Sequence, residues 1–329
     1  MKIEAEEFLD RLYFDKDKIF EAKNYELGAL FGFVVGDALG VPVEFKSRGK
    51  LHSNPVLSMQ EYGTHKQPMG TWSDDTSLML CLIAALIEGY SLQKLSENFL
   101  DYYYTGKYTP YGEVFDVGRT TIKAIENIKN EIPLEECGGS SERDNGNGSL
   151  MRIAPLAYLW DKRKIKDMLL LIEEVSSLTH AHNRSKFACI FYIYFLKQLL
   201  LGQNKRQALE DTIAFVNKNC KKYKDEFAVY DRILTKSIIS VEEDEIKSTG
   251  YVVDSLEAAI WCFMNFHNTK DVLLTAVNLG DDTDTIGAIS GALAGAYYGL
   301  DSIPYRWIDA LAKRDELTKM FIDFVINVK

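Results

Sequence analysis

LGDDTDTIGAISGALAGAYYG, residues 279–299, carries both a helix signal and a cluster of oxygen ligands. Asp281, Asp282, Asp284 and Thr285 place four oxygen-bearing side chains within five residues at the start of a predicted helix. Capping a helix needs one such side chain, so the excess points to another use. Gly280 permits a tight approach just before them. The helix expected over 284–298 carries Gly287, Ser290, Gly291, Ala294 and Gly295. Residues this small let a second helix pack with its backbone very close. The apolar run Thr285–Leu300 spans 16 residues and is mostly Gly and Ala. A membrane span needs about 20 residues of stronger hydrophobicity, so no membrane segment is expected.

Outward from this segment, apolar residues recur at helical spacing: Leu78, Leu82, Ala85 and Leu86; Leu169, Ile172, Val175 and Leu178; Phe191, Tyr194, Phe195 and Leu199. The pattern predicts helices near 6–21, 25–39, 74–89, 92–103, 113–129, 148–160, 164–178, 183–201, 204–218, 223–236, 253–266, 269–279, 284–298, 304–312 and 314–327. No run alternates as a strand does, only seven prolines interrupt the chain, and no repeat of solenoid length is evident. The expected fold class is all-α, a single compact domain over residues 25–329 preceded by a helical extension over 1–24.

The 329 residues carry a net charge of −10, which argues against a nucleic-acid backbone as a partner. A local pocket can still take a small anion. Cys81, Cys137, Cys189, Cys220 and Cys262 are odd in number and widely spaced, with no CxxC pair. That fits reduced thiols in the cytoplasm. The start, MKIEAEEFLD, is acidic and has no signal-peptide pattern.

A second oxygen cluster lies in GTWSDDTSLML, residues 70–80. Ser73 is a good N-cap, and Asp74, Asp75 and Thr76 fill the first turn. An ordinary acidic first turn would look the same taken alone. Two such clusters about 200 residues apart in the sequence mean more together. Their carboxylates and hydroxyls are hard ligands for Mg²⁺, Mn²⁺ or Ca²⁺ and poor ones for zinc. In DNGNGSLMRIAPLAY, residues 144–158, Gly146 and Gly148 flank Asn147 before a predicted helix at Ser149. Free N–H groups there suit a phosphate, although a plain flexible turn has the same composition. His180 and His182 in SSLTHAHNRS are either ligands or loop histidines. His52, His65 and His267 have no constellation around them and read as surface or core residues.

GALFGFVVGDALGVPVEF at 28–45, GTWSDDTSLML at 70–80, GNGSLMRIAP at 146–155 and LGDDTDTIGAISGALAG at 279–295 occur in that order. FDVGRTT at 115–121, THAH at 179–182 and GYVVDSLEAAIW at 250–261 accompany them. In these motifs the chain resembles the ADP-ribosylglycohydrolase family over roughly residues 25–310. The resemblance implies an orthogonal all-α domain, hydrolysis of the bond between ADP-ribose and a modified acceptor, and a centre of two Mg²⁺ or Mn²⁺ ions. It implies metal ligation by Ser73, Asp74, Asp75, Asp282, Asp284 and Thr285. Asp116, Glu44 and Asp75 match the carboxylates nearest the reaction, with Asp116 or Glu44 as general base. Asn147, Gly148 and Ser149 match the diphosphate-side loop, His180 a ribose-side residue, and Tyr251 an aromatic wall.

Two residues depart from the family pattern. Ser73 replaces the commoner threonine, which keeps the hydroxyl, and Asp281 stands where glycine is common. Its carboxylate either perturbs the site or points to solvent. Expected partners are an ADP-ribosylated protein or a small ADP-ribosyl compound, with nucleic acid entering only as a modified substrate. Arginine, serine and a nucleic-acid base stay open as acceptors. An ADP-ribose-binding module without catalysis and a helical protein that has lost its site are the alternatives.

Overall fold

The computed structural model describes residues 16–327, with side chains from Asn24 onward. Its helices are α1 (Lys16–Gly40), α2 (Arg48–Ser53), α3 (Asp74–Ile87), α4 (Leu92–Thr105), α5 (Arg119–Lys129), α6 (Ile165–Ser177), α7 (Asn183–Leu200), α8 (Lys205–Asn219), α9 (Asp231–Leu234), α10 (Val252–Asn265), α11 (Thr269–Asn278), α12 (Thr283–Tyr298), α13 (Tyr305–Asp309) and α14 (Arg314–Asn327). Among the described residues the only β pairings are two isolated bridges, Gly139–His180 and Gly146–Tyr251. The fold is all-α, as expected, and no described helix is long and apolar enough to cross a membrane.

Several expected elements differ. The helices expected over 6–21 and 25–39 join in α1, and residues 6–15 lie outside the described residues. The expected boundary at 24/25 therefore falls inside a helix. The helix expected from 113 begins only at Arg119, because Gly112 and Asp116 hold left-handed backbone at φ 79° and 61°. The helices expected over 148–160 and 223–236 are mostly 3₁₀ turns, Leu150–Arg152 with Ala154–Lys162, and Lys221–Tyr230. In the former, Pro155 has no N–H to donate. Helix α2 is an addition to the expected set: in RGKLHS only Leu51 is buried, so no apolar period marks it.

Helix α12 is the axis of the core. Every residue from Thr283 to Ala296 is buried, and it packs against α1, α7, α10 and α11. A helix enclosed on all sides needs apolar or small residues all round. Its closest neighbour is α1, which runs antiparallel to it. A Cβ on Gly28, Gly32 or Gly36 would overlap the main chain of Gly295, Gly291 or Gly287 in turn, and one on Gly40 would overlap that of Asp284. This ladder brings the end of α1 against the start of α12. There Thr283 Oγ1 donates to the Gly40 carbonyl at 2.8 Å.

Arg48 anchors the loop before α12. Its Nε donates to Leu279 O at 2.8 Å, and its other nitrogens reach the carbonyls of Glu243 and Ile246. Helix α3, buried from Asp74 to Leu86, adds the other half of the site.

Candidate active site

Ser73 caps α3, its Oγ accepting from Asp75 N at 3.3 Å. A second cap comes from α1. Asp37, fully buried, accepts from Ser73 N at 2.9 Å, Thr76 N at 3.1 Å and Thr76 Oγ1 at 2.6 Å. Burial pushes Asp37 up to about 6, against the pull of those donors. With the helix end satisfied in this way, the carboxylates of Asp74 and Asp75 are not needed for capping. Asp37 is absent from the expected site residues. The available signal is a lone carboxylate within the apolar run FGFVVGDALGV, since buried acids need a reason.

The start of α12 is built differently. Asp282 is the N-cap residue but makes no side-chain cap bond. Its carboxylate instead accepts from Asn147 Nδ2 at 2.6 Å, and its N–H donates to Ser248 O at 2.9 Å. Thr285 Oγ1 donates to Asp75 Oδ1 at 3.2 Å, joining two helix starts 210 residues apart in sequence. The second oxygens of Asp75 and Asp284 are buried and have no hydrogen-bond partner.

Oxygens of Glu44, Asp282 and Asp284 lie within 4.8 Å of one another, and Glu44 forms a similar group with His65 and Asp116. Burial raises the pKa of every one of these carboxylates, and of Asp74 and Asp75. Neighbouring negative charge adds to the rise for Glu44, Asp74, Asp75 and Asp284: Asp284 contributes most at Glu44 and Asp75, and Asp116 most at Asp74 and Asp284. Crowded, desolvated carboxylates with orphaned oxygens form a hard-ligand set that a divalent cation satisfies.

Glu44, Asp74, Asp75, Asp116, Asp282 and Thr285 line a cleft of about 310 Å³, with Asp284 buried beside them. A larger cleft of about 410 Å³, between α14 and the 106–112 turn, contains none of the expected site residues. The lining of the smaller cleft also contains Gly146, Asn147, Gly148 and His180. His180 is 2% exposed. Burial lowers its pKa to about 3, so it stays neutral, and its Nδ1 pairs with Thr179 Oγ1 at 2.8 Å. A Cβ on Gly148 would lie 2.7 Å from His180 Cε1, so this contact requires glycine.

Some expected residues sit otherwise than their motifs imply. The Asn147 amide is engaged by Asp282 and Ser255, not directed at a ligand. The Ser149 hydroxyl turns into the core, accepting from Ser176 Oγ at 3.0 Å, so its side chain is not directed at a ligand. Gly250 lines the cleft, whereas Tyr251 stands beside it with its ring under the Arg184 guanidinium. Asp281 is exposed at φ 57°, its backbone bonded to Phe45 N and Lys46 O; its carboxylate points to solvent. His65 is not a bystander. Its Nε2 lies 2.5 Å from Glu44 Oε2 and 4.0 Å from Asp116 Oδ1, with Phe45 and Phe115 packed around the ring. No local pattern shows this, because its partners come from separate loops.

In this all-helical frame two acidic helix starts meet over a cleft, an arrangement whose carboxylates could hold a metal ion. A family model described as ADP-ribosylglycohydrolase matches residues 23–328. The chain is 31% identical over 300 residues to the ADP-ribosylarginine hydrolase Tri1 of Serratia proteamaculans, covering 89% of this chain and 76% of that protein. It is 30% identical over 303 residues to the ADP-ribosyl-[dinitrogen reductase] glycohydrolase of Rhodospirillum rubrum, covering 88% and 91%. A solved structure titled ADP-ribosylglycohydrolase-related protein complex superimposes with a TM-score of 0.78 at 30% identity, covering 94% of this chain and 99% of that one. The chain belongs to the ADP-ribosylglycohydrolase family. It is a hydrolase of the glycosidic bond between ADP-ribose and a modified acceptor.

Proposed function

We propose that this enzyme releases ADP-ribose from modified arginine side chains with two Mg²⁺ ions, Mn²⁺ substituting, held by Ser73, Asp74, Asp75, Asp282, Asp284 and Thr285. The observation carrying the reading is the Thr285–Asp75 bond between the two helix starts, with orphaned Asp75 and Asp284 oxygens beside it. Arginine as acceptor is supported by the name of the Serratia relative. Metal held there would supply Lewis acidity toward a water and positive charge toward substrate hydroxyls.

The chain's own residues supply the rest. Asp116 lines the cleft with its side chain 17% exposed, against 4% for Glu44, so it is the carboxylate placed to take a proton from the attacking water. General-base help of this kind is worth about 10²–10⁴-fold. Glu44, deeper and close to Asp282 and Asp284, faces the cation side. Neutral His180 packs against the ribose side, and the main chain of Gly148 and Ser149 takes the diphosphate. Residues 25–329 form the catalytic unit, with 1–24 as its extension. Five free, buried cysteines support a cytoplasmic location. The substrate is an ADP-ribosylated protein or a small ADP-ribosyl compound.

The test is a release assay on ADP-ribosyl-arginine, ADP-ribosyl-serine and ADP-ribosylated DNA with Mg²⁺, Mn²⁺ and chelator. Release from the arginine adduct that needs a divalent ion is expected. Tight ADP-ribose binding with no release under any condition would overturn the enzymatic reading, and release from serine alone would overturn the acceptor.

A further inference from the structure

Arg152 is fully buried and outside the cleft. Among the described residues it forms no ion pair with a carboxylate. One terminal nitrogen donates to Gly148 O, the other to Val175 O at 3.0 Å, and its Nε has no partner. Its guanidinium lies 5.2 Å from the centre of the Phe99 ring. Burial lowers its pKa to about 10, so it remains charged at neutral pH. An uncompensated buried cation is costly. The last turn of α6, which supplies Val175, and the Phe99 face offset part of that cost.

The bond to Gly148 has a geometric consequence. A trans peptide points its C=O and N–H in opposite directions. With the Gly148 carbonyl drawn inward to Arg152, the Ser149 N–H is turned away from the guanidinium. Neither Gly148 N nor Ser149 N donates to another group among the described residues. Asn147 N, by contrast, is occupied by Gly250 O at 3.0 Å.

We infer that Arg152 is a positioning residue for anion binding: from beneath the turn it fixes which peptide faces point outward, and it adds a fixed positive charge behind the place where a diphosphate sits. The inference rests on the function proposed above. The Arg152 charge adds, from behind the turn, to those of Arg119 and Arg143, which line the cleft together with its carboxylates in a chain of net charge −10.

The experiment compares wild type, Arg152→Lys and Arg152→Gln, using ADP-ribose, ADP and adenosine as ligands. For Arg152→Gln, the ADP-ribose Kd and the ADP inhibition constant rise about tenfold or more, adenosine inhibition stays within about twofold, and KM rises more than kcat falls. Arg152→Lys recovers part of the loss. A purely structural role would weaken all three ligands alike. A folded Arg152→Gln protein with wild-type ADP-ribose affinity overturns the inference and leaves the proposed function standing. Wild type that fails to bind ADP-ribose overturns both. Should Arg152→Gln not fold, the amide resonances of wild type decide: those of Gly148 and Ser149 shift with ADP-ribose and with ADP but not with adenosine, and amides indifferent to all three, or moved equally by adenosine, refute it.

Discussion

The two helix starts that meet in the cleft are built by opposite means. At α3 the N–H groups of Ser73, Asp75 and Thr76 are closed by Ser73 itself and by Asp37 from α1, so this end is capped before anything binds. At α12 the cap position makes no cap bond, and Asp282 is held from outside by Asn147 and Ser248. One start is a finished part of the fold, and the other is assembled from distant loops. Substitution of the capping group Asp37 at the first should therefore register in stability before function. At the second the order should reverse.

The largest effect is expected where both starts meet. Asp284→Ala should lower turnover roughly 10²–10³-fold and abolish the rise in Tm that Mg²⁺ gives wild type. Without metal the same variant should melt higher than wild type, because it removes one of several crowded buried carboxylates. Normal turnover with Mg²⁺ still bound would end the picture of a shared cation site.

Next comes the contrast itself. Asp37→Ala orphans buried donors at about 1–3 kcal/mol each, so chemical denaturation should show the loss while Mg²⁺ affinity changes less. Asn147→Ala should barely move the denaturation midpoint yet weaken Mg²⁺ binding and turnover ~10–100-fold. Equal effects of both on both readouts would erase the distinction.

A smaller effect is expected from pH. Asp74, Asp75, Asp282 and Asp284 are all held above their ordinary range by burial. The folded protein thus keeps protons that the unfolded chain releases above about pH 4. Metal-free stability should fall as pH climbs from there towards neutrality; Asp37, pushed up to about 6, contributes over the lower part of that window. Tm measured in chelator at pH 5.5 and 8 should show the decline, and saturating Mg²⁺ should flatten it. An identical slope with and without Mg²⁺ would contradict the cation reading.

The smallest effect is at Asp281. Its side chain is exposed and its φ is 57°, so Asp281→Gly should leave turnover within about twofold and gain up to ~1 kcal/mol by relieving a left-handed residue. A large change in metal preference would mean that this carboxylate reaches the site.

Much of this architecture is legible in the order of residues alone. Ser73 declares itself a cap by its residue type and the acids after it, and the small residues in 287–295 announce a close neighbour. Partnership across distance is what the chain conceals. The neighbour is α1, whose own glycines repeat every four residues from Gly28 to Gly40. His65 owes its place to Glu44 and Asp116, and Asn147 owes its amide to Asp282; neither pairing leaves a trace in local periodicity. The 3₁₀ stretch after Ser149 carries an apolar pattern that an α-helix would also show, so spacing alone does not tell the two apart.

The glycine contacts between α1 and α12 act as a ruler with fixed graduations. Backbones seated this closely leave no room to slide by less than a full four-residue step, so the span between Glu44 and Asp284 is set by main chain and not by adjustable side chains. Changes in the loops that overhang the cleft can then alter access to it while the carboxylates beneath keep their spacing.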